Sequence, residues 1–254
     1  KKQKVRTTII EKSSSIWVVS LFSVFLFRNH QFRNGHYGTD GYGTVLYLRK
    51  HLIMKFYDRE QETAKLQEIQ QKSLLQAQMT IITGRRRIGK TQLLLNVTAG
   101  QPTLYFFVAR KTEADLVVDF QTIATRNLGI PFFGQVTSFA ELFRFLMEYS
   151  AMNPFNLIID EFQEFFNINP SIYSEMQHYW DINKDKSRMN LLLSGSVYSL
   201  MQKIFQNSKE PLFGRATAYI RLKPFRTDVL KQILSDHNAR YTDCLLYTSP
   251  SPRD

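Results

Sequence analysis

Two glycines with four residues between them, Gly84 and Gly89, are followed directly by Lys90 and Thr91. These types at this spacing suit the holding of a phosphate chain. Glycines let the backbone curl until successive N–H groups point inward at one anion. A helix beginning near Gly89 would add its unpaired N–H groups and the positive end of its dipole. Lys90 would set one charge against the β and γ phosphates, and the Thr91 hydroxyl is a hard oxygen ligand for Mg²⁺. The candidate nucleotide-binding set is Gly84, Arg85, Arg86, Arg87, Ile88, Gly89, Lys90, Thr91 and Gln92, with ATP and Mg²⁺ as the implied ligands. A glycine-rich turn exposing a lysine would match the same letters. The flanks argue against it: Thr80–Thr83 is strand-like before the loop, and Leu93–Leu95 opens an apolar helix after it. Arg85, Arg86 and Arg87 fill the variable positions. They read by default as a solvated face, with contact to nucleotide or partner as the alternative.

A phosphate loop needs a partner that holds the metal and positions water. Leu157-Ile158-Ile159-Asp160-Glu161 has that form, an apolar strand ending in two acids about 70 residues after the loop. Asp160 would hold Mg²⁺ through water, jointly with Thr91. Glu161 would orient and deprotonate the attacking water. The pattern by itself also describes a strand followed by an acidic turn, and its place after a phosphate loop favours the catalytic reading. The five histidines show no metal-ligand pairing at i, i+4, so no zinc site is supported.

These residues need elements to place them. Arg59 to Gln78 is rich in helix formers, with Leu66, Ile69, Leu74 and Ala77 as its buried side. Helices are further expected over 90–99, stopped by Gly100-Gln101-Pro102, and over 113–128, stopped by Gly129 and Pro131. Ser138 and Glu141 form a capping box for a helix over 138–150. There Phe139, Leu142, Phe143, Leu146 and Met147 share one face, as core rather than as a base-stacking platform. Helices over 172–182, 197–205 and 227–234 complete the set. Strands are expected at 103–109, apolar enough to be buried on both faces, and at 156–159, 190–193 and 218–222. Strands alternating with helices predict an α/β fold, a P-loop NTPase core whose parallel sheet is flanked by helices. Ligands of such sheets bind at the carboxyl ends of the strands, where both motifs fall. The strand over 103–109 intervenes between the phosphate loop and the acid pair, which points to the additional-strand type of P-loop ATPase.

Charge and composition add limits. The chain of 254 residues carries a formal net charge of +11, which at first points to nucleic acid or a membrane surface. The excess sits at the ends: residues 54–243 hold 23 Lys/Arg against 19 Asp/Glu, so most of that argument disappears. Residues 1–53 have nine Lys/Arg, two acids and no persistent period, and are expected to be non-native or disordered upstream sequence before a start at Met54. A targeting segment is the rival, since Ile16 to Phe27 is an apolar run of twelve behind a basic stretch, too short to span a membrane. The Gly35–Gly43 patch lacks a strand–turn–helix frame and is expected to be unstructured. Residues 244–254 break from the helical pattern and look like a translated sequencing adapter. Cys244, the single cysteine, belongs to that tail, so the rest has no thiol chemistry, as suits a reducing, cytoplasmic setting. The expected organisation is a P-loop ATPase core over 54–225, the start of a truncated helical lid over 226–243, and the tail.

Residues 54–234 resemble the archaeal-type and bacterial ATPases of the STAND group within the AAA+-like superfamily. The carrying residues are Phe56-Tyr57-Asp58-Arg59-Glu60 with Leu66, the Gly84–Thr91 loop, and Ile158-Ile159-Asp160-Glu161-Phe162-Gln163. Leu193-Ser194-Gly195-Ser196 and Pro211-Leu212-Phe213-Gly214-Arg215 complete them. The resemblance implies that Tyr57 and Arg59 lie beside the adenine and that Arg215 senses phosphate. It also puts Ser194 and Ser196 where such ATPases carry a polar sensor near the γ-phosphate; a Ser-Gly-Ser turn capping the next helix is the alternative. The catalytic set so implied is Glu161, Lys90, Ser194 and Arg215. Family members usually continue into a helical lid, a winged helix and a nuclease-like domain, so the resemblance implies truncation near Asp243. Three functions compete: Mg²⁺-dependent ATP hydrolysis driving conformational change, a nucleotide-controlled switch with little turnover, and a DNA-handling ATPase acting through a missing C-terminal domain. No protein partner is identified, and no membrane is expected.

Overall fold

The computed structural model describes residues 57–132 and 136–236. The expectations for residues 1–53, Phe56 and the 244–254 tail lie outside them. Residues 54–224 form one compact unit, and the chain from Phe225 belongs to another, in which the helix Thr227–Asp236 is the described element.

In chain order the first unit contains α1 (Glu60–Ser73), β1 (Gln78–Thr83), α2 (Lys90–Val97), β2 (Thr103–Phe107), α3 (Glu113–Leu128) and α4 (Phe139–Ser150). It continues with β3 (Phe155–Asp160), a 3₁₀ turn (Phe162–Glu164), α5 (Phe165–Ile168), α6 (Ser171–Asn183), β4 (Met189–Gly195), α7 (Tyr198–Gln206) and β5 (Ala218–Arg221). The five strands form one parallel sheet in the order β2-β3-β4-β1-β5.

Strand periodicity explains the two layers. Met79, Ile81, Leu157, Ile159, Leu191 and Leu193 face a large core built with α3, α4, α6 and α7. Their alternates Ile82, Ile158 and Leu192 face a smaller one with Leu66 of α1 and Leu93, Leu94 and Val97 of α2. The five apolar residues expected on one face of α4 are all fully buried, among stacked and tilted rings of Phe106, Phe120, Phe139 and Phe165. Ser138 accepts from the N–H of Glu141 at 3.2 Å, but the Glu141 carboxylate returns to the N–H of Thr137 at 2.9 Å, one residue before the expected partner.

Two expectations change. The strand over 103–109 is an edge, paired only with β3 among the described strands, so its outer side is open and Phe107 is half exposed. The first helix ends at Ser73, which leaves Leu74 half exposed instead of on the buried side.

Candidate functional site

The site grows from the carboxyl ends of β1, β3 and β4. Strand β1 runs straight into the glycine loop, and α2 leaves it. Gly89, at φ +94°, is the N-cap of α2 and makes no side-chain cap bond, so the first N–H groups of α2 stay open to a ligand. Gly84 sits at a close approach: a Cβ there would lie 3.1 Å from the Leu222 carbonyl oxygen and from Ile88 Cγ2.

Lys90 is buried, and its ammonium donates to the carbonyls of Gly84 at 2.9 Å and Arg85 at 3.0 Å. The loop thus wraps its own cation. Burial lowers the Lys90 pKa, while the charges of Glu161 and Asp160 act the other way and Arg86 adds to the lowering. Thr91 Oγ1 donates to Asp160 Oδ2 at 2.7 Å, and Asp160 Oδ1 accepts the N–H of Glu161 at 3.0 Å. Tyr105 of β2 also donates to Asp160 Oδ2, at 2.9 Å. Burial first, then the Asp160 charge, raise the Tyr105 pKa, so its hydroxyl remains a donor.

Glu161 has left-handed backbone, φ +54°, at the entry to the 3₁₀ turn. A non-glycine residue there carries strain on the order of 1–3 kcal/mol. Its Oε2 accepts from Gln163 Nε2 at 2.5 Å and from Ser196 Oγ at 2.7 Å. Ser196 Oγ in turn accepts from Arg86 Nε at 3.5 Å, which links the loop to the acid. Gly195 permits this arrangement, because a Cβ on it would meet Gln163 Oε1 at 2.6 Å and Met201 at 2.5 Å.

The structure therefore brings Lys90, Thr91, Asp160, Glu161 and Ser196 together. Ser194, the last residue but one of β4, is fully buried, and its hydroxyl has no hydrogen-bond partner. Arg85, Arg86 and Arg87 are exposed, and Ile88 and Gln92 are half-buried. Arg59 ties α1 to the segment after β5, donating to the Lys223 carbonyl at 2.7 Å and to Glu62 at 3.3 Å, with Tyr57 two residues before it. Arg215 departs from expectation. It pairs with Asp181 at 2.7 Å and lines a hollow with Gln76 and Gln78 at the amino end of β1. A six-residue strand separates that end from the loop, roughly 15–20 Å at 3.3 Å per residue, so Arg215 does not reach a phosphate held there within this unit. Sequence reasoning gave Tyr105 no role and quoted Gln163 only as part of a motif. Neither has a spacing signal, since each acts through a fold-made contact.

The donor set fits Mg²⁺. A hydroxyl and a carboxylate, both hard oxygens, meet at 2.7 Å beside the phosphate loop. No group of three His, Cys, Asp or Glu able to hold a metal ion occurs among the described residues. The cation would thus be shared with substrate phosphate and water, as is usual for Mg²⁺.

Comparison with known proteins agrees with this fold. The family described as an ATPase domain predominantly from Archaea matches residues 56–242. An uncharacterized protein of Methanocaldococcus jannaschii, MJECL04, is 29% identical over 177 residues, covering 70% of this chain and 38% of that protein. The Walker-type ATPase PABY2304 of Pyrococcus abyssi superposes with a TM-score of 0.57 at 20% identity, over 75% of this chain and 61% of that one. Cdc6p from Pyrobaculum aerophilum gives 0.54 at 21% identity, over 73% and 50% of the two chains. The Aeropyrum pernix ORC2 protein, in ADPNP–ADP complexes, gives 0.52 at 16%, over 74% and 54%. These three structures share the fold, an α/β P-loop ATPase core with a parallel sheet flanked by helices. The chain spans 38% of the length of its curated relative. Among the described residues no helix is long and apolar enough to cross a membrane.

Proposed function

The chain belongs to the family of ATPase domains found predominantly in Archaea, and from that premise we propose that it hydrolyses ATP with Mg²⁺ and couples the nucleotide state to a conformational change, as a STAND-type ATPase. The observation that carries this reading is the meeting of the loop and the acid pair: Thr91 Oγ1 lies 2.7 Å from Asp160 Oδ2, with Glu161 next in the chain.

Each residue then has a task. The open N–H groups of the loop and of α2, with the Lys90 ammonium, bind the triphosphate. Phosphate oxygens replace the Gly84 and Arg85 carbonyls as acceptors from Lys90. Thr91 and Asp160 hold Mg²⁺, which when bound supplies neutralising charge on the phosphates. Glu161, held at one oxygen by Gln163 and Ser196, has its other oxygen for the attacking water, orients it and takes its proton. Ser194 is a polar group close to the same strand end. Tyr57 and Arg59 flank the base side of the nucleotide. The need for ATP favours a cytoplasmic setting. The partner that reads the nucleotide state belongs to the whole protein; DNA is the less favoured candidate, given the nearly balanced charge of residues 54–243.

The test is calorimetric titration with ATP and Mg²⁺. Lys90→Ala should abolish binding while the thermal midpoint stays within a few degrees. Unchanged affinity in the variant would remove the phosphate-loop reading.

A further inference from the structure

The carboxylate assigned to the metal is gripped from two sides. Asp160 Oδ2 accepts from Thr91 Oγ1 at 2.7 Å and from Tyr105 at 2.9 Å, while Oδ1 is occupied by the Glu161 N–H at 3.0 Å. The Thr91 contact comes from the loop itself. The Tyr105 contact comes from an edge of the sheet, from the strand β2 that pairs with β3.

We propose that Tyr105 is a positioning residue for Asp160, and that through it the edge strand β2 sets how tightly the site takes a divalent cation together with ATP. This rests on the ATP-binding reading above. Three features support it. First, the register is fixed: Tyr105 pairs with Ile158, and Asp160 lies two residues further along the same face of β3. The long side chain therefore leans along the strand toward the carboxylate. Second, the ring is packed against the core that contains Ile82, Leu93 and Ile158, so its direction is set by packing rather than by the hydroxyl. Third, Asp160 is only 5% exposed, so water does little of the holding. With Thr91 alone on Oδ2, the hydroxyl that ligates the cation would also be the only side chain orienting the carboxylate. Tyr105 separates the two tasks, and an outer partner that fixes a metal-holding carboxylate commonly changes metal affinity by on the order of 10-fold or more.

The bland alternative is that the Tyr105 hydroxyl merely satisfies the polar end of a packed ring. Tyr105→Phe keeps the ring and removes the donor, so it separates the two. ATP binding is measured by calorimetry in excess EDTA and across a Mg²⁺ series, for wild type and variant, with thermal melts alongside. The expected result is equal metal-free ATP affinity, a melting midpoint within a few degrees, and a Mg²⁺ midpoint raised on the order of 10-fold. An unchanged or lowered Mg²⁺ midpoint would overturn the proposal. So would metal-free affinity and melting temperature falling together with the Mg²⁺ midpoint fixed, which is the signature of a structural role. Wild type that binds no ATP in either condition would overturn the ATP reading itself, and this proposal with it.

Discussion

Replacing Glu161 by glutamine isolates the chemical step from everything that holds the site together. Glu161 Oε2 accepts from Gln163 at 2.5 Å and from Ser196 at 2.7 Å. The oxygen of a glutamine amide can occupy the same place and keep both bonds, now neutral instead of charge-assisted. At about 1 kcal/mol less per bond the loss is about 2 kcal/mol, offset in part because a half-buried carboxylate is no longer desolvated. For a domain of this size that is at most roughly 4–8 °C in the melting midpoint. Lys90, Thr91 and Asp160 are untouched, so ATP and Mg²⁺ should still bind. Hydrolysis should fall on the order of 10²–10⁴-fold, the usual worth of a positioned acid–base group. In barrier height that is about 2.7–5.5 kcal/mol. The assay is a single-turnover rapid quench with the full-length protein in excess over ATP, so that product release does not mask chemistry. Equal single-turnover rates for wild type and Glu161→Gln, with ATP binding intact, would refute the base assignment. They would shift the preferred function to a nucleotide-controlled switch.

Two further substitutions probe the support around the site. Gly195→Ala puts a methyl 2.5 Å from Met201 and 2.6 Å from Gln163 Oε1. Such overpacking costs about 1–3 kcal/mol, roughly 2–12 °C by thermal melt, and pushing the Gln163 amide off Glu161 should also slow turnover; a wild-type midpoint and rate would show that the close approach is relieved elsewhere. Glu141 tests the α4 cap by pH. The Thr137 N–H first, then the Thr137 hydroxyl, hold its carboxyl below the ordinary 4.5. Its contribution is therefore fully present above the unfolded value of 4.5 and is lost as pH falls through the depressed folded value. Melting curves of wild type and Glu141→Gln should differ at neutral pH and converge in acid; a gap that persists in acid would assign the effect to something other than the charge.

The local parts of this protein were legible in its sequence because local rules produced them. The Gly84–Thr91 loop, the Leu157–Glu161 strand with its two acids, and the apolar stripe of α4 are each written in a few residues with a fixed period. The alternation of strands and helices was enough to give a parallel sheet with both motifs at its carboxyl end. Strand order was legible only as a type, the additional-strand sheet, and not in which strand takes the added place. The sequence shows that β2 intervenes between the loop and the acid pair, but in space β2 is the edge and β4 lies between β1 and β3. That order brings Ser196 of the turn after β4 to Glu161, and lets a tyrosine from the edge reach Asp160. Arg215 shows the converse. Its motif resembled a phosphate sensor, yet the chain delivers it to the amino end of β1, to Asp181. What the sequence determined by itself is which residues are candidates for phosphate, metal and water, because that depends on side-chain type and on backbone geometry over a few residues. The tertiary structure alone decided which of them meet, because contacts such as Tyr105 to Asp160 and Ser196 to Glu161 join residues 55 and 35 positions apart. Their closeness follows from strand pairing and from how two cores pack on the sheet, and no short-range pattern records either.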